Sequence, residues 1–192
     1  DHYIENEQEF IQLLKSICDG LAFAHDRGVI HRDIKPENLL FDEFGYVRIA
    51  DFGISITKNG TRMTKEHQIV GSAQYMSPEQ ARSLKVDNHT DIYSLGIVIY
   101  ERLTGKVPFD SDESISILVN HVSTKPPRLP PKMRHWQKLI DKCLAKNPND
   151  RYQSMIELKI DLEDSESGIT TISLVNEPAI EVDWLMFSKE PA

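Results

Sequence analysis

Between Asp91 and Thr104 the sequence reads DIYSLGIVIYERLT, apolar on nearly every side of a helical projection. A helix that offers water no polar face has to be enclosed by other elements. The chain is therefore expected to fold around this segment, and its 192 residues with 40% hydrophobic content are enough to do so. From Glu7 to Arg27, Phe10, Leu14, Ile17 and Leu21 recur at spacings of three and four, the stripe of an amphipathic helix, and Gly28 stands where it would stop. RHWQKLIDKCLAK and SMIELKIDLED supply two further helices. KPPRLPPKM, from Lys125 to Met133, is too proline-rich for either regular element and reads as an extended connector.

Only two short β-prone runs occur near the first helix, LLF and YVRIA, separated by the turn residues DEFG, the pattern of a hairpin. IHRDIKPENLLF, just before that turn, crowds Asp33, Lys35 and Asn38 into a few residues, and Asp51 follows the second strand. Each alone is what a solvated turn carries. Jointly they suit phosphoryl transfer, which asks a protein for positioning and charge neutralisation. Asp33 would take or orient the proton of an attacking hydroxyl and Lys35 would hold the charge of the moving phosphoryl group. Asn38 and Asp51 would offer oxygen to Mg²⁺, a hard cation.

Other reaction and ligand classes fit less well. Cys18 and Cys143 are far apart in helical-looking segments, so neither a disulfide framework nor a paired-cysteine metal site is suggested. No His pair has zinc-ligand spacing. The net charge of −8, without a basic block, argues against a nucleic-acid partner. No apolar run approaches bilayer-spanning length and the acidic start is unlike a secretory signal, so a cytoplasmic location is expected.

HRDIKPEN, DFG and the SPE at Ser77 to Glu79, in that order, resemble the catalytic-loop, metal-binding and A-P-E motifs of eukaryotic-type protein kinases. IHRDIKPENLL and GSAQYMSPEQ are most similar to bacterial-like serine/threonine kinases. The resemblance implies a mainly α-helical C-terminal lobe over residues 1–164, with a short β hairpin at the catalytic loop. It implies ATP and Mg²⁺ as cofactors, a protein Ser/Thr hydroxyl as acceptor, and Leu40 as the apolar floor beneath adenine, although a buried strand leucine needs no ligand. It implies that His31 and Phe52 stack, that Asp91 accepts backbone N–H bonds from the catalytic loop, and that Glu79 pairs internally with Arg151. Arg32 would receive a phosphate from Thr57, Thr61 or Thr64. Ser72 stands where the family usually has Thr, keeping a hydroxyl for Asp33 and Lys35.

The N-terminal β lobe of such kinases, with its Gly-rich loop and phosphate-gripping lysine, has no counterpart in this sequence, so the ATP cleft is expected to need a missing lobe and the isolated chain to be nearly inactive. Two further readings stay open, a non-catalytic kinase-like binding module and a small-molecule phosphotransferase of similar fold. Residues 165–192 change character and read as a separate tail or linker. ISLVNEPAIEVDWLMF resembles a short segment of some phage structural proteins, leaving either a join between reading frames or a linker that packs Trp184 and Phe187 on the lobe.

Overall fold

A computed structural model describes residues 6–52 and 71–169, with side chains through residue 163. Helix α1 spans Glu7–His25. Asn6 caps it by accepting the Glu9 N–H at 3.2 Å, and Gly28 ends the following turn at a φ of 72°, a left-handed conformation open to glycine. Phe10, Leu14, Ile17 and Leu21 are all buried, as their spacing predicts.

The hairpin follows, with β1 at Leu39–Phe41 and β2 at Val47–Ile49, paired antiparallel so that Leu40 faces Arg48. Among the described residues this is the only sheet. Leu40 is not the buried strand leucine that the alternative reading required, for half of its surface is exposed.

Three helices complete the centre: α2 at Pro78–Ala81, α3 at Asn88–Thr104 and α4 at Ser114–Ser123. Helix α3 is buried along nearly its whole length, which its all-round apolar sequence demands. Its Gly96 is required by closeness: a Cβ there would lie 2.5 Å from the Cys143 Cβ and 2.9 Å from a Leu144 methyl. Each fully buried Ile or Leu of this core contributes roughly 1.5–3 kcal/mol relative to exposure.

The connector is extended only as far as Pro130, because Pro131–Trp136 form a 3-10 turn that leads into α5 at Gln137–Cys143. Proline fits such a turn at its first position, where no donor is needed. Helix α6, Met155–Ile169, packs along α1 and is tied to it by Lys159 on Asp19 at 2.7 Å. It carries 165–169 as helix, beyond the point where the sequence loses helical period. The remainder of the expected tail, with Trp184 and Phe187, lies outside the described residues.

Candidate active site

Asp33 and Lys35 sit in the loop between α1 and β1, and Asn38 ends the single 3-10 turn Pro36–Asn38 that follows. The Lys35 ammonium lies 2.9 Å from Asp33 Oδ2 and 3.5 Å from the Ser72 hydroxyl, while the Asn38 amide nitrogen donates to the Asp33 carbonyl at 2.6 Å and to its carboxylate at 3.1 Å. Because both bonds use the nitrogen end of the buried Asn38 amide, its oxygen is left for another donor or a cation.

The hairpin returns the chain to this cluster. Ala50 N–H donates to the Asn38 carbonyl at 2.8 Å, and His31 Nε2 donates to the Ala50 carbonyl at 2.7 Å while its other ring nitrogen accepts from Asp33 N–H at 3.3 Å. Asp51 is thereby held next along the chain, exposed, with a left-handed φ of 56°. The expected stack is present, with His31 and Phe52 ring centroids 4.7 Å apart.

A buried carboxylate fixes the loop from below. Asp91 is fully enclosed in the first turn of α3, where its Oδ2 accepts from His31 N–H at 2.9 Å and its Oδ1 from Arg32 N–H at 2.7 Å. Arg32 has a left-handed φ of 70°, a conformation that costs a non-glycine residue about 1–3 kcal/mol and persists only where its surroundings impose it. Here both of its backbone polar groups are clamped, the carbonyl by the Gln80 side-chain nitrogen at 2.7 Å. Gln80 is itself pinned in a capping box with Ser77 at the start of α2.

Two of these supports escape sequence reasoning. His25, at the end of α1, places Nε2 at 2.7 Å from Asp91 Oδ2, and Gln80 spans the distance to Arg32. Both contacts join residues far apart in sequence, and only the SPEQ capping pattern offered a local hint of Gln80.

The expected internal ion pair is also formed. Arg151, fully buried, makes a bidentate contact with Glu79 at 2.8 and 2.9 Å and fills its other donors with the carbonyls of Ala145, His89 and Lys146. Burial alone would push the Glu79 carboxyl up, but the Arg151 guanidinium outweighs it and holds that carboxyl below its usual range. Thr57, Thr61 and Thr64 lie outside the described residues.

The donor set fits a nucleotide-bound hard cation. Among the described residues no three His, Cys, Asp or Glu side chains converge to hold a metal by themselves, so a metal at Asn38 and Asp51 would draw further ligands from phosphate oxygens and water. Mg²⁺ is bound in that way.

Comparison with known proteins agrees with this geometry. Residues 1–160 match the family model described as protein kinase domain. The serine/threonine-protein kinase PknB of Mycobacterium leprae is 42% identical over 168 residues, covering 84% of this chain and 27% of that protein. A probable serine/threonine-protein kinase of Clostridium acetobutylicum is 40% identical over 166 residues, 83% of this chain and 25% of that one. The chain thus spans about a quarter of the length of the curated relatives it matches. A mutant of the Mycobacterium tuberculosis PknI kinase domain superposes with a TM-score of 0.63 at 23% identity, covering 85% of this chain and 56% of that one, a likeness of fold. With its helical core, its single hairpin and its clamped HRD loop all matching, the chain belongs to the protein kinase domain family.

Proposed function

We propose that this segment is the catalytic large lobe of a serine/threonine protein kinase, which transfers the γ-phosphoryl group of ATP to a protein hydroxyl. The observation that carries the reading is the connected cluster of Asp33, Lys35, Asn38 and Ser72, held in place by Asp91. Asp33 orients the acceptor hydroxyl and takes its proton as the oxygen–phosphorus bond forms. Lys35 neutralises the transferring group. Asn38 and Asp51 hold Mg²⁺, and ATP bound there supplies the phosphoryl group. Leu40 offers an exposed apolar side chain on which adenine can rest, and a small lobe completes the cleft above it.

Arg32 supports a regulatory step in the same reading, because its Nε is buried and has no hydrogen-bond partner among the described residues. A phosphate on Thr57, Thr61 or Thr64 would satisfy it through charge-assisted bonds. The acceptor is a protein, nucleic acid is not a substrate, and the lobe works in the cytoplasm. No helix among the described residues is long and apolar enough to cross a membrane. Residues 1–164 form the lobe, and 165–192 act as a linker.

The test uses the full-length gene product that carries this segment, with radiolabelled Mg-ATP and matched peptides bearing Ser, Thr or Tyr. Label is expected on Ser and Thr, and Asp33→Asn should lower the rate by at least about 100-fold, the contribution typical of a positioned base. Unchanged turnover in Asp33→Asn would overturn the assignment. Nucleotide binding without any transfer would favour the non-catalytic module.

A further inference from the structure

A groove of about 470 Å³ opens on the side of the lobe formed by the connector and the end of α5. Its walls carry three cations, Lys125, Arg128 and Lys146, against one carboxylate, Asp141, although the chain as a whole has a net charge of −8. Asp141 is already engaged, accepting the Gln137 amide at 2.9 Å. Lys125 and Arg128 are exposed, and neither forms an ion pair or side-chain hydrogen bond among the described residues.

Lys146 is the buried end of this cluster. Its ammonium makes only long contacts, 3.4 Å to the Tyr93 hydroxyl and 3.4 Å to the Asn120 carbonyl, and lies 4.5 Å from the centre of the Phe109 ring. Burial, reinforced by repulsion from the Arg151 guanidinium, pushes it down to about 8. An anion placed among these side chains would relieve all three cations at once.

We propose that this groove binds a phosphorylated Ser or Thr side chain presented on an extended peptide. A phosphate monoester carries close to two negative charges near neutral pH, equal to the excess of cations over carboxylate in the walls, and Arg128 presents a planar fork suited to its oxygens. Leu144 and Pro126 give the groove an aliphatic lining, without an aromatic ring to stack a nucleobase. The volume accommodates a phosphoresidue and a neighbour or two, as small-ligand grooves do. None of the lining residues belongs to the Asp33 cluster, so the site is independent of catalysis.

The probe is a fluorescein-labelled Ala-Leu-phosphothreonine-Leu-Ala peptide, titrated with the 192-residue chain at about 50 mM salt, where screening of exposed charges is weak. Its unphosphorylated twin and inorganic phosphate as competitor form the other arms. The phosphopeptide is expected to bind at least about ten-fold tighter than its twin, and free phosphate at millimolar concentration should displace it. The double variant Lys125→Ala with Arg128→Ala should weaken binding by about ten-fold or more while leaving the urea midpoint unchanged, because both side chains are exposed. Lys146→Met should weaken it as well. Equal affinity for the two peptides, or phosphopeptide binding untouched by the double variant, would overturn the proposal. So would binding of free phosphate with no preference for the phosphopeptide.

Discussion

Replacing Asp91 by Asn tests whether one buried carboxylate holds the catalytic loop in its strained form. Asp91 is fully enclosed and serves three donors: His31 N–H at 2.9 Å and His25 Nε2 at 2.7 Å on one oxygen, Arg32 N–H at 2.7 Å on the other. An asparagine amide has a single oxygen, so in either orientation its NH₂ must face at least one of these donors. In the better orientation it keeps the two contacts at Oδ2 and abuts the Arg32 N–H. One charge-assisted bond, about 1.5–3 kcal/mol, is lost, and a buried donor is left unsatisfied at about 1–3 kcal/mol. The two figures describe partly the same group, so the expected loss is about 2–4 kcal/mol. With a urea slope near 2 kcal/mol per molar, the unfolding midpoint should fall by about 1–2 M. Because Arg32 at φ 70° has lost one of its two backbone clamps, phosphotransfer by the full-length protein should fall too. A midpoint within about 0.3 M of the unsubstituted chain, with undiminished transfer, would refute the claim that Asp91 determines the loop.

Three other outcomes follow from the packing. Glu79 titrates below its unfolded value, so the stability it gives is complete above about pH 4 and is lost as pH falls through the folded value. Glu79→Gln should therefore cost about 3–5 kcal/mol at pH 7 by leaving Arg151 buried without its counter-charge, and should flatten the acid side of a stability-against-pH profile. Gly96→Ala should gain about 1 kcal/mol of helix propensity but lose more to the 2.5 Å approach on Cys143, a net cost of about 1–3 kcal/mol by thermal unfolding. Both cysteines should resist a thiol reagent until the chain unfolds, since burial pushes Cys18 up to about 12 and raises Cys143 as well; rapid native-state labelling of either would contradict their burial.

How much of this was legible in the sequence depended on how local the signal was. The stripe of α1 and the all-round apolar character of α3 are periodic patterns, and both helices lie where the periods put them. Helix α4 carries no such mark: its SISILV run is rich in β-branched residues, and no side chain caps its start. What makes it helical is tertiary, since Ile117 and His121 are buried against the lobe.

The same division runs through the site. Sequence alone determined the chemistry available, because Asp33, Lys35, Asn38 and Asp51 lie on two short stretches joined by a hairpin whose turn residues are plain to read. It also pointed to Asp91 as an acceptor for the loop and to the pairing of Glu79 with Arg151. Only the folded chain decided that His25 reaches Asp91, that Gln80 closes on the Arg32 carbonyl, that Leu40 stays half exposed, and that Lys125, Arg128 and Lys146 share one groove. Side chains of those kinds occur on any helix end or loop. Their partners are chosen by which helices pack together, and a one-dimensional pattern does not specify that distance.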